Sequence, residues 1–208
     1  MGRVICITGG IGSGKSSVAR LMSAYCNVPC IDIDECCKEL LCKGHRGWHA
    51  LQNTYGNVYF NESGHVDRKR LREALFSDPE LREQLDSLLH PIARRTLLDA
   101  IEQYDDQFLL VEVPLVYEAG WDKDFDAIVV VAVDREKQIQ RTITRDGVDE
   151  EQARQSVDAQ MELEKKVNLA DYIVDNNGAW ADTRNKVVDL CLLLEREIGL
   201  FKKKNLTV

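Results

Sequence analysis

The sequence lacks a long hydrophobic run, a basic surplus and a paired cysteine knuckle. No apolar stretch approaches the ~18–20 residues of a membrane span, and the one at residues 1–8 is too short for a signal peptide. A membrane-embedded or secreted protein is therefore not expected. Lys and Arg number 27 against 35 Asp and Glu, a net charge of −8, which argues against a general nucleic-acid binder with its basic footprint. Prolines number four and aromatic residues make up 7%, and there is no Pro/Gly-rich linker, low-complexity tract or internal repeat. The seven cysteines are an odd number, and five of them (Cys26, Cys30, Cys36, Cys37, Cys42) fall within 17 residues. Cys42, His45 and His49 follow at spacings loosely like zinc ligands, but no C-x2-C pair accompanies them. The expectation is reduced thiols used as small apolar residues, in a cytoplasmic protein. No sequence feature sets an oligomeric state or indicates a protein partner.

What is present alternates between short β-branched runs and longer helical patterns. Strands are expected at 4–8, 28–32, 108–113, 127–133 and 172–175, and their nearly continuous apolar character suits a parallel sheet buried on both faces. Helices are expected at 16–25, 34–41, 80–89, 135–145, 150–166 and 180–198. Residues 44–106 form a long, charged, helix-like stretch inserted between the second and third strands, with turn signals at Asn61-Glu62-Ser63-Gly64 and Asp78-Pro79. The pattern predicts an α/β fold, with residues 201–208 a solvated tail.

Gly9-Gly10-Ile11-Gly12-Ser13-Gly14-Lys15-Ser16 fits G-x-x-x-x-G-K-[ST] between the first strand and the first helix. Such a loop turns successive N–H groups inward to make an anion nest, and the next helix adds the positive end of its dipole. Lys15 is expected to bridge the β- and γ-phosphates of a nucleotide, and the Ser16 hydroxyl to be a magnesium ligand. No N-K-x-D base reader is found, which disfavours a GTPase; Asn176-Asn177-Gly178-Ala179 is not one.

Asp32-Ile33-Asp34 closes the second strand, where ligands collect in an open α/β sheet. Alternate residues of extended chain share a side, so one carboxylate could hold a magnesium-bound water and the other accept a proton from an attacking hydroxyl. The competing reading makes Asp34 a helix cap. Glu112 closes the third strand and is a second metal-supporting candidate. In residues 135–145, Gln138, Arg141 and Arg145 share one helix face, and Arg suits the spread charge of phosphoryl transfer. Arg68-Lys69-Arg70 with Arg72 is either a solvated face or an acceptor-phosphate contact.

The ordered set of motifs resembles the dephospho-coenzyme A kinase family almost end to end. It is carried by the phosphate loop from Thr8, Ile31-Asp32-Ile33-Asp34, Gly64-His65-Val66-Asp67-Arg68-Lys69-Arg70-Leu71, Leu89-His90-Pro91 and Glu112-Val113-Pro114-Leu115-Val116-Tyr117-Glu118. Gln138-Ile139-Gln140-Arg141 with Arg145-Asp146, Ala159-Gln160, Ala170-Asp171 and Asn176-Asn177-Gly178 complete it. The resemblance implies transfer of the ATP γ-phosphoryl group, with Mg2+, to the 3′-hydroxyl of dephospho-CoA, giving CoA and ADP in the last step of coenzyme A biosynthesis. It implies a three-layer P-loop kinase fold on a five-stranded parallel sheet, in one domain: a core at 1–33, 107–134 and 167–200, a helical acceptor-binding insertion at 34–106 and a helical lid at 135–166. By matching position it implies that one aspartate of the Asp32/Asp34 pair is the catalytic base, Asp34 being favoured and Asp32 put on the magnesium side with Ser16 and Glu112, with Lys15 and Arg141 catalytic as well. The nucleotide site it implies comprises residues 9–16 (Gly9, Gly10, Ile11, Gly12, Ser13, Gly14, Lys15, Ser16) with Ser17, Arg145, Asn177 and Gly178. Glu112 stands where the family often has Asp, and Ser17 where Thr is common. Kinases for another small nucleoside or nucleotide hydroxyl, and a non-catalytic nucleotide switch, are the competing readings.

Overall fold

The protein is described by a computed structural model over residues 3–104 and 108–198; the tail expected at 201–208 lies outside the described residues. Five strands form one parallel sheet: β1 (Val4–Thr8), β2 (Cys30–Asp32), β3 (Leu109–Glu112), β4 (Ala127–Ala132) and β5 (Tyr172–Asp175), in the order β2-β3-β1-β4-β5. The parallel ladders demand long crossovers, and helices supply them. Register aligns Glu112 with Ile7 of β1 on one side and Asp32 of β2 on the other. The carboxylates that close β2 and β3 thus stand side by side next to the end of β1, where the phosphate loop begins.

The chain divides into two compact units, one running to Asp32 and resuming at Tyr104, the other spanning Ile33–Gln103. In the first, α1 (Lys15–Cys26) and α9 (Trp180–Ile198) pack on the sheet around Ile7, Val18, Met22, Leu110, Val129 and Leu194. Cys26 and Cys191 belong to that core and Cys6 is equally buried; all seven cysteines are free thiols. The remaining helices of this unit are α6 (Arg135–Asp146), α7 (Glu150–Asp158) and α8 (Leu163–Asn168). The sequence pattern predicts one helix over 150–166, but the structure breaks it. Residues 159–162 turn away because the Met161 N–H goes to Glu118 Oε1 at 2.9 Å and the Gln160 side chain to the phosphate loop.

The second unit holds α2 (Ile33–Leu40), α3 (Arg46–Tyr55), α4 (Arg68–Ser77) and α5 (Pro79–Glu102) around Trp48, Leu51, Phe60, Leu71 and Leu85. The Asn61–Gly64 turn is closed by a Phe60–Val66 bridge, and Trp48 Nε1 donates to the Gly64 carbonyl at 2.9 Å. Asp67 and Asp78 cap α4 and α5 by accepting from Arg70 and Leu81 N–H. The helix expected over 80–89 continues through Pro91 to Glu102. Proline in a helix interior costs about 3 kcal/mol. Burial of Ala93 and Leu97 beyond it, Leu97 fully, offsets much of that, at about 1.5–3 kcal/mol for a leucine-sized side chain. Among the described residues, no helix is long and apolar enough to cross a membrane.

One buried charge stands out in the first unit. Lys166 on α8 is fully buried; its ammonium pairs with Glu118 at 2.8 Å and donates to the Pro114 carbonyl at 2.9 Å. Removing one partner is costliest when the charge left behind is buried: without Glu118 the fully buried Lys166 ammonium loses its counter-charge, whereas without Lys166 the Glu118 carboxylate, 23% exposed, still reaches water. Glu118→Ala should therefore lower the unfolding free energy by about 3–5 kcal/mol in urea titrations, and Lys166→Met by much less. A loss in Lys166→Met as large as in Glu118→Ala would mean that the ammonium, and not only the volume of its chain, is needed there.

Candidate active site

The phosphate loop joins β1 to α1, and its glycines are set by what lies behind them. A Cβ on Gly10 would lie 2.6 Å from Gln138 Nε2, and one on Gly14 would lie 2.5 Å from Asn176 Nδ2. At Gly12 the clash would be with backbone, 2.5 Å from the Gln138 carbonyl oxygen, and φ there is +73°. Close packing and a left-handed backbone both require glycine at that position. Helix α6 and Asn176 thus press on the outside of the loop.

Polar contacts reinforce this backing. Buried Asn176 donates through Nδ2 to the Ser13 carbonyl at 2.7 Å and accepts from Thr183 Oγ1 at 2.8 Å. Arg141 donates to the carbonyls of Gly12, Ser13 and Asn176 at 3.2–3.4 Å. With these carbonyls drawn outward, the loop offers its amide side to an anion. Helix α1 begins at Gly14 with no side-chain cap and no acidic residue in its first turn, unlike the Asp-capped α4, α5 and α7. The positive end of its dipole is kept for the loop.

The acidic side of the site is equally local. Ser16 Oγ donates to Glu112 Oε1 at 2.5 Å, and Glu112, buried, is paired in register with Asp32. A hydroxyl and two carboxylates at adjacent strand ends are hard oxygen donors, a set that fits Mg2+. That ion is commonly held by one or two carboxylates together with substrate phosphates. Cys30 reports the same negative field: burial, then Glu112 and Asp32, push its thiol up to about 11. Among the described residues no group of three or more His, Cys, Asp or Glu side chains stands in a metal-holding cluster, and this includes the Cys42, His45 and His49 stretch.

Other expected residues fall differently. Asp34 is not on extended chain, because α2 begins at Ile33 and puts Asp34 in its first turn; the alternation argument that aligned it with Asp32 does not hold. Within the helical unit, exposed Asp34 lines a cavity of about 390 Å³ with Lys38, Arg68 and Arg72. Arg70 is spent on the Val58 carbonyl at 3.0 Å. Arg145 is exposed and forms a bidentate pair with its neighbour Asp146 at 2.7 Å. Asn177 uses its side chain to join strand ends, accepting from Asp134 N–H and donating to Asp175, while its carbonyl accepts from Lys137. At Gly178 a Cβ would approach Asp182 Oδ2 to 2.9 Å. Thr183 is the support residue that motif reading misses, and Asn176, present in the Asn176-Asn177-Gly178 motif, gains its role only from the fold, because both serve the loop from the far end of the chain.

A glycine-rich anion cradle, a helix N-terminus behind it and carboxylates on neighbouring strand ends define the chain as a P-loop phosphotransferase. The comparisons with known proteins narrow that class. The family model described as dephospho-CoA kinase matches residues 3–182. Dephospho-CoA kinase from Desulfotalea psychrophila is 37% identical over 186 residues, 88% of this chain and 94% of that protein. Dephospho-CoA kinase from Syntrophotalea carbinolica is 38% identical over 191 residues, 90% of each chain. In fold, the solved dephospho-CoA kinase from Campylobacter jejuni is similar with a TM-score of 0.69 at 24% identity, covering 96% of this chain and 99% of that one. The chain belongs to the dephospho-CoA kinase family, whose members are ATP-dependent kinases.

The raised thiol gives a test of the acidic strand ends. A thiol held up near 11 is almost wholly protonated at pH 9 and slow to alkylate. Glu112→Gln removes one of the charges that raise it, so iodoacetamide should label Cys30 several-fold faster at pH 9 in the variant, read by mass spectrometry. An unchanged rate would mean that the Glu112 charge adds nothing to the shift.

Proposed function

We propose that the protein transfers the γ-phosphoryl group of ATP to the 3′-hydroxyl of dephospho-CoA, giving CoA and ADP, the last step of coenzyme A biosynthesis. One observation carries the reading: the family match over residues 3–182 takes in the helical unit as well as the phosphate loop. The acceptor-side helices are thereby part of what is shared. A cytoplasmic site of action suits seven free thiols.

Catalysis of this kind rests on positioning and electrostatics. The loop at residues 9–16, through amides other than those of Ile11 and Ser13, which are bonded within the protein, receives the nucleotide phosphates with the α1 dipole, and Lys15 bridges the β- and γ-groups. Ser16, Asp32 and Glu112 would hold Mg2+, which when bound neutralises phosphate charge. Asp34 accepts the proton of the 3′-hydroxyl as phosphate is transferred. Arg68, Arg72 and Lys38, beside Asp34 in the helical unit, offer cationic contacts to the acceptor's own phosphates. Arg141 holds the loop carbonyls and keeps a guanidinium close to the transferring group. Residues 135–166 act as a lid that excludes water and so limits ATP hydrolysis, with residues 34–106 as the acceptor-binding insertion. Asn177-Gly178 borders the adenine, and Arg145 joins the phosphates only by leaving Asp146.

ADP release measured with dephospho-CoA, nucleosides and nucleoside monophosphates tests the assignment, and turnover should require dephospho-CoA. Turnover on a nucleoside would make the chain a kinase for another acceptor, and ATP binding without acceptor-stimulated turnover would make it a switch. Lys15→Ala and Asp34→Asn should each cut kcat by at least ~10²-fold, the scale of losing a positioned charge or base. Near-normal kcat in Asp34→Asn would remove Asp34 from the role of base.

A further inference from the structure

Gln160 lies in the break between α7 and α8, and its Oε1 accepts the Ile11 N–H at 2.7 Å. The same peptide unit is held at its other end, where the Gly10 carbonyl accepts from Ser13 N–H at 3.1 Å. The plane of the Gly10–Ile11 peptide is therefore fixed from both sides. The next residue anchors the break independently: Met161 N–H reaches Glu118, which pairs with buried Lys166. Lys166 donates to the Pro114 carbonyl, and that oxygen also accepts from Thr8 Oγ1 at 3.2 Å. The break is thus already secured to the end of β1, and the Gln160 bond is not needed to secure it.

We propose that Gln160 is a positioning residue for phosphoryl transfer, which sets the Gly10–Ile11 peptide plane and so pre-forms the nucleotide cradle. The proposal rests on the phosphate-loop kinase reading above. Residue chemistry supports it. An amide oxygen accepts an N–H bond without adding negative charge beside a loop that must receive phosphate. A carboxylate would accept the same bond but repel the nucleotide, and an apolar chain of equal length would leave the peptide held only at the Gly10 carbonyl. Gln160 and Ile11 are both only partly buried, so water could satisfy the N–H; what water cannot do is fix its direction. A loop that populates the competent arrangement only part of the time binds ATP more weakly by that fraction, while the bound complex reacts as before.

The full-length chain is compared with Gln160→Met, of similar length without an acceptor, and Gln160→Glu, which keeps one and adds charge. Gln160→Met should raise KM for ATP by about 3–10-fold, the scale of one neutral hydrogen bond. It should leave kcat and KM for dephospho-CoA within about twofold, since the lost bond is not one made only in the transition state. The Ile11 amide proton, followed by NMR, should move upfield in Gln160→Met but not in Gln160→Glu, where its shift should follow the carboxylate's titration. ATP affinity is also read by calorimetry without acceptor and should fall by the same factor as KM rises, so the proposal is decided even if dephospho-CoA is not the acceptor. A wild-type chain that binds ATP but does not turn over dephospho-CoA would overturn the functional reading instead. ATP affinity unchanged in Gln160→Met overturns the proposal. So does a parallel fall in kcat and rise in both KM values with a lowered unfolding midpoint, which would make Gln160 a structural residue only.

Discussion

The site depends on a loop pressed from behind. Phosphate binding needs several backbone N–H groups converging on one point, and a free glycine-rich loop would spend entropy to adopt that form. Here α6 and Asn176 occupy the volume a Cβ would take at Gly10, Gly12 and Gly14, while Asn176 and Arg141 draw loop carbonyls outward. Glycine supplies the permission and the packing supplies the constraint. The same contacts account for the burial of Asn176 and Thr183, polar residues that would otherwise be costly to enclose.

The acidic protein accommodates an anionic ligand because charge is arranged locally. The net charge of −8 belongs to the whole chain, whereas the loop presents amides, Lys15 and a helix dipole at one spot. Asp32 and Glu112 place negative charge at the neighbouring strand ends, apart from the loop amides, with Ser16 bonded to Glu112 between them. Their field reaches Cys30, whose thiol is held protonated. The cysteines clustered in the sequence scatter in the fold, from the buried Cys26 to the exposed Cys42.

Much of this was legible in advance. All five strands were expected where they occur, because parallel strands buried on both faces read as continuous apolar runs. The phosphate loop was legible because its chemistry is contiguous in sequence. Glu112 could be picked out as a strand-end acid, but its bond to Ser16 could not, since 96 residues separate them. The sequence pattern failed where tertiary contacts outweigh local propensity: α5 runs through Pro91 on the strength of burial beyond it, and the helix over 150–166 breaks because its peptides are taken by Glu118 and the loop. The helix expected from Asp34 begins one residue earlier, at Ile33, so the alternation that aligned Asp34 with Asp32 on extended chain fails.

By itself, then, the sequence determined the alternation of strands and helices, the anion cradle and the acids available at strand ends, all set by local pattern and spacing. Tertiary structure decided which distant side chains hold the cradle in shape. Asn176, Arg141 and Gln160 reach the loop from 129 to 163 residues away. The physical reason is that hydrogen bonds and steric contact act over a few ångströms in space, and only folding brings such residues within that range.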